Sequence, residues 1–317
     1  MTRAQLVGLV RKYWLILFIF ISLLFVIVYL SNEVGKLEHV LRVSVDNITY
    51  VVILQFLFWL VISAIWKRIV LKVSSHRITL LESCYHVSLV NIGKYLPGKV
   101  WGMLARGYHM KQRYGIAPRN AIYGTYLEQF FLLYSGIIVT AFLYGVLFTE
   151  NLAWLLTAVS IGGAIGARHF SDAILKKISD IYSFLFKKTK KFSVESSISA
   201  FDYYLLLTAY VVVWLLSGSI FYGIYLTFFP STFSIGVLLL MILANTVSIT
   251  AGFFAIFAPA GVGVREGVSA LILATHLTVA EAILLGLIFR VWVVFLELLI
   301  GGGMFLLIIK RPTRKVA

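Results

Sequence analysis

Pro259-Ala260-Gly261-Val262-Gly263-Val264-Arg265-Glu266-Gly267 interrupts a long apolar region. Phe233–Phe257 runs into it, and Val264–Leu277 is apolar again but short. A helix breaker, flexible glycines and two charges therefore stand where the flanks suit lipid. A membrane interior tolerates irregular backbone only where protein or a cavity surrounds it. Ionisable side chains there cost roughly 2.5–3.5 kcal/mol each on insertion scales. A second segment, Lys94-Tyr95-Leu96-Pro97-Gly98-Lys99-Val100-Trp101-Gly102-Met103-Leu104-Ala105-Arg106, has the same ingredients. Paired broken segments in two halves of a chain point to a transporter's binding site.

The rest of the chain supports a membrane setting. Of 317 residues, 61% are hydrophobic and 13% charged, with mean hydropathy +0.95. A soluble domain has about 25% charged and about 45–50% apolar residues. The fold class is therefore all-α, a polytopic integral membrane protein forming a single transmembrane domain over residues 1–317. At about 20 apolar residues per crossing, the candidate spans are Tyr13–Leu30, Val51–Trp66, Ala121–Phe148, Leu152–Gly166, Tyr203–Phe228, Phe233–Phe257 and Ala282–Ile309. Val264–Leu277 reads as part of a discontinuous span, which makes about eight crossings. The first run has basic residues ahead of it but no small-residue cleavage site, so it reads as a retained helix. The single cysteine, Cys84, excludes an intrachain disulfide. Two halves, 1–195 and 196–317, each contain two spans, a Pro/Gly-broken segment and further apolar helix, which suggests a pseudo-symmetric core.

With the N-terminus in the cytoplasm, the charges sort by side. The inner segments hold three Lys/Arg before the first span, ten from Lys67 to Arg119, seven from Arg168 to Lys191 and four from Lys310 to Lys315. These are 24 of the 28; Lys36 and Arg42 are outside, and Arg265 and Arg290 lie within spans. Positive-inside asymmetry orients the chain in the cell membrane with both termini cytoplasmic. It also accounts for the net charge of +15 through anionic lipid head groups, without nucleic acid. Ile78–Tyr95 is apolar with Glu82, His86 and Asn91 interspersed, so it reads as a hairpin dipping in from the inner side; the alternative is two full crossings. Ile174, Ile178, Ile181 and Leu185 have helical spacing, which fits either a helix on the inner surface or a solvated basic loop.

Several residues could bind an anion. Gly261 and Gly263 free the backbone so that a helix can start near Val264 and present its N–H groups. Arg265 could grip a phosphate bidentately, and Glu266 sits where the helix dipole favours a carboxylate. Alternatively, Arg265 and Glu266 pair with other charges and pin two helices. In the first segment Pro97 suits a helix start and Gly98 a close approach. Lys99, Gly102 and Arg106 then share a helix face, which either admits a head group or lies at the interface with its cations reaching water. Pro259 is the breaker of the second segment. Arg290 and Glu297 share a stripe with Gly286 and Gly301, which must face protein or a cavity. Glu128, Glu266 and Glu297 are candidates for charge pairing or proton relay. His86 and His276 read as satisfied interior or interface histidines. The sequence has no Walker A segment, dinucleotide-binding glycine motif, HExxH or nucleophile–base pair, so it predicts neither an enzyme nor a cofactor or metal site. Asn47-Ile48-Thr49 is a glycosylation sequon.

Tyr-Leu-Pro-Gly after the second span, a glutamate early in the next, Pro-x-Gly-x-Gly-Val-Arg-Glu and a late arginine follow in order. This resembles the lysylphosphatidylglycerol synthase transmembrane-region family. The matching positions are Leu96, Pro97, Gly98, Arg106, Glu128, Pro259, Gly261, Gly263, Val264, Arg265, Glu266 and Arg290. Where many relatives have Gly-Gly-Asp, this chain has Trp101-Gly102-Met103. It ends shortly after the last span, at Ala317, so the resemblance implies a member without the soluble synthase domain. It also implies a lipid translocase with no ATP site of its own, moving an anionic or zwitterionic phospholipid or lipid-linked saccharide, with envelope-glycan biosynthesis proteins as partners. The rival readings are a membrane-embedded transferase acting on a lipid-linked sugar and a non-transporting scaffold.

Overall fold

The computed structural model describes residues 44–95, 101–148, 155–166, 198–229, 231–255, 258 and 261–309. The described residues form nine helices and no strand: α1 (Val45–Ser74), α2 (Leu80–Gly93), α3 (Trp101–Tyr114), α4 (Pro118–Phe148), α5 (Leu155–Gly166), α6 (Ala200–Phe228), α7 (Ile235–Phe254), α8 (Val264–Leu273) and α9 (Val279–Ile309). Five of them, α1, α4, α6, α7 and α9, are long and apolar enough to cross a membrane. The expected span Tyr13–Leu30 and the surface helix around Ile178 lie outside the described residues.

Helix α6 is the centre of the bundle, packed by α1, α4 and α7. Its contact face carries Tyr203, Tyr210 and Trp214, all buried. The Trp214 indole donates to the Leu132 carbonyl at 2.9 Å, so even this large ring leaves no buried polar atom unmet. Polar contacts align the ends of α1 and α6. At one end Asp202 receives Arg68 at 2.6 Å and Lys72 at 2.7 Å. At the other, the Ser44 N–H donates to Thr227 O at 3.1 Å and the Asn47 amide to Leu226 O at 2.7 Å. The two helices are thus antiparallel, with one cationic end. The Asn47 contact also places the sequon within a helix, its amide already engaged.

Between α1 and α4 lies a helical hairpin. Thr79 and Glu82 form a reciprocal capping box that starts α2. Helices α2 and α3 have 14 residues each, which at 1.5 Å per residue is about 21 Å, short of a hydrocarbon core of about 30 Å. They cross closely. A Cβ on Gly102 would lie 2.6 Å from both Leu89 O and Val90 Cα, and one on Gly93 would strike the Gly102 backbone. Arg113 reaches Glu82 at 3.3 Å and ties the base. The hairpin is larger than the apolar segment Ile78–Tyr95 suggested, because α3 is its second arm. Arm α3 escapes an apolar reading because its buried face includes Arg106 and two glycines. On the other side of the molecule, α7 ends at Phe254 and the short α8 packs back on both α7 and α9.

Candidate functional site

The two broken segments meet near the middle of α9. Gly261 and Gly263 have φ of +73° and +81°, a region where an L side chain is strained. They turn the chain into α8. Glu266, in the first turn of α8 and 5% exposed, accepts the Gly263 N–H at 2.8 Å. Its other oxygen takes Arg290 Nε at 3.0 Å. Glycine has no side chain to complete a capping box, so this helix start has only the carboxylate half. From the other direction, the end of the hairpin brings Lys94 and Tyr95 to α9. Lys94 Nζ lies 2.5 Å from Glu297 Oε1, and the Tyr95 hydroxyl donates to Oε2 at 2.8 Å.

Arg265 differs from its neighbours. Lys94 and Arg290 each have a carboxylate; Arg265 has no ion pair among the described residues, and its buried Nε has no hydrogen-bond partner. Glycines flank its side chain. A Cβ on Gly252 would lie 2.6 Å from Arg265 Cγ, and one on Gly261 3.0 Å from Nε. The result is a half-buried guanidinium in a glycine cradle, beside a helix start whose first-turn N–H groups lack intrahelical acceptors. That combination suits an anion. The α9 stripe runs through the same region. Gly286 lies against Ser269 and Glu266 of α8, and Gly301 against Ile92 and Ser88 of α2.

The remaining sequence candidates separate into a second cluster. Arg106 is fully buried. It donates to Glu128 at 2.5 Å, to the His86 carbonyl at 3.0 Å and to Thr125 at 3.3 Å, and it lies over the Trp66 ring at 3.6 Å. Gly102 faces the α2 backbone. Arg106 and Gly102 therefore do not join Arg265 and Arg290; they hold α3 against α2 and α4. Pro97, Gly98, Lys99 and Pro259 lie outside the described residues.

The family model described as lysylphosphatidylglycerol synthase TM region matches residues 13–301. The chain belongs to this family. No curated protein and no solved structure matches it. As a lysylphosphatidylglycerol synthase TM region, the chain is a multi-pass membrane domain, and the match includes every site residue described above.

Reading the family segments as motifs gives no partner to three residues of the site. Lys94 and Tyr95 stand just before the Pro97-Gly98 break, and their pairing with Glu297 is visible only once the hairpin folds back on α9. Gly252 is one glycine within an apolar helix and gains meaning only from Arg265 packing over it.

Proposed function

We propose that this chain moves a phosphate-bearing lipid, anionic or zwitterionic, between membrane leaflets. The observation that carries the reading is Arg265: a cation in a glycine cradle at a broken helix start, with no carboxylate partner among the described residues. The head-group phosphate binds there. Arg265 supplies the planar fork and Arg290 adds charge beside it. Glu266 fixes Arg290 and the helix start. Lys94 and Tyr95, held on Glu297, close the site from the hairpin side. One closing element comes from each end of the bundle, so releasing one at a time would expose the head group to one leaflet at a time. The cationic end, with Arg68, Lys72 and Arg113, faces the cytoplasm and its anionic lipids.

The test is a head-group accessibility assay in proteoliposomes with fluorescent phospholipids. The expected result is protein-dependent movement of labelled lipid that Arg265→Lys reduces at least tenfold. Wild-type protein that moves no phospholipid or lipid-linked saccharide would overturn the reading and favour a scaffold. Product formed from a sugar donor would favour a transferase.

A further inference from the structure

Inside the hairpin lies a polar chain that the proposed site does not use. Trp66 Nε1 lies 3.2 Å from His86 Nδ1, and His86 Nε2 lies 2.9 Å from His109 Nδ1. Trp66 and His86 are fully buried. An indole N–H only donates, so His86 Nδ1 must accept. Neutral His86 then has its proton on Nε2 and donates it to His109 Nδ1. That forces His109 to hold its own proton on Nε2. One donor on α1 thus sets the tautomer of two rings on α2 and α3. The chain tolerates no additional proton. A protonated His109 presents an N–H to an N–H across 2.9 Å, and the other His86 tautomer presents one to Trp66.

We propose that Trp66, His86 and His109 form a proton-sensing site that locks the register of α2 against α3 while both rings are neutral and releases it on acidification. The groups facing the pair are Glu82 and Tyr85 on α2, and Arg106, Arg113 and Tyr114 on α3. His76, before α2, packs on Tyr114. On α4 Glu128 is occupied by Arg106, and on α9 Glu297 meets the far end of the hairpin. Burial, then the Arg106 guanidinium, holds His86 well below the ordinary imidazole value. Burial and Arg113 also lower His109, against the pull of Glu82. Because the folded values are depressed, the stabilisation is complete above the ordinary imidazole value of about 6.5 and is lost as pH falls through the folded values. The same hairpin holds Lys94 and Tyr95 on Glu297, so release at the histidines loosens that contact too.

The readout is unfolding temperature, so it is independent of any translocation activity. Full-length protein is measured from about pH 7.5 to about pH 5, which brackets imidazole titration. Wild type should show an acid step on the order of 2–4 °C, the shift expected for about 1 kcal/mol. His109→Gln offers an amide oxygen that accepts from His86 Nε2–H without titrating, so the share of the step that comes from His109 should go and only that of buried His86 should remain. Trp66→Phe keeps a ring face for Arg106 but frees His86 Nδ1. His86 can then switch tautomer and accept from protonated His109, so the step should shrink in this variant too. A wild type without the step, or a step of undiminished size in either variant, would overturn the proposal. If His109→Gln does not fold, Trp66→Phe decides.

Discussion

Arg265 and Arg106 are both interior arginines, and their partners divide them. Arg265 has a glycine cradle and no ion pair among the described residues; Arg106 is fully buried against Glu128. Arg265→Lys retains charge and loses the planar fork, so the protein should insert and unfold as wild type does while lipid movement in proteoliposomes falls at least tenfold, equivalent to about 1.4 kcal/mol. Wild-type transport by that variant would remove Arg265 from the site. Arg106→Leu should instead destabilise, because it leaves the Glu128 carboxylate buried and unpaired, at about 3–5 kcal/mol. The double variant Arg106→Leu with Glu128→Leu should recover much of that loss, measured by thermal unfolding. Recovery of nothing would mean that the arginine's bonds to Thr125 and the His86 carbonyl matter more than the ion pair.

At the scale of elements, glycines set how closely helices approach, and their neighbours decide which substitutions are tolerated. A Cβ at Gly102 meets backbone, Leu89 O and Val90 Cα at 2.6 Å; at Gly301 it meets the mobile tip of Ile92 at 2.5 Å. Gly102→Ala should therefore cost about 1–3 kcal/mol by overpacking. Gly301→Ala should be close to neutral, because Ile92 can rotate away and alanine favours a helix by about 1 kcal/mol. Comparable unfolding temperatures for the two variants would contradict this account of the hairpin crossing. The hairpin base is also sensitive to acid. Burial opposes ionisation of Glu82, but bonds from Thr79 and Arg113, with the Tyr114 hydroxyl near them, outweigh it and hold the carboxyl below its ordinary range. The advantage of wild type over Glu82→Gln should be complete above that ordinary range. It should vanish as pH falls through the lowered value, where the two melting curves converge.

For the molecule as a whole, the charge asymmetry and the paired helix ends agree. Arg68, Lys72 and Asp202 gather at one end of α1 and α6, while Ser44, Asn47 and Thr227 meet at the other. With 24 of 28 Lys and Arg assigned to the first side, both termini should be cytoplasmic. In a Cys84→Ser background, Thr2→Cys and Lys315→Cys should resist an impermeant thiol reagent in intact cells and react after permeabilisation. Labelling of either from outside would invert the arrangement, and with it the leaflet to which the hairpin opens.

The sequence by itself determined the membrane class, the all-helical architecture, the family and the places where the helices break. Each is a local property: apolar runs long enough to cross, prolines and glycines that cannot continue a helix, charges that must not face lipid. It also showed that Arg290, Glu297 and their flanking glycines share one face, because helical periodicity is local. Only the tertiary structure decided which charges meet. Arg106 and Arg265 are equally plausible in sequence, yet one is bound by a carboxylate 22 positions away and the other has no ion pair among the described residues. Glu297 finds its partner 203 positions back. The tautomer chain through His86 and His109 depends on Trp66, a donor on a different helix. Pairings of this kind arise from how helices cross, and crossing depends on complementary surfaces that no single segment contains.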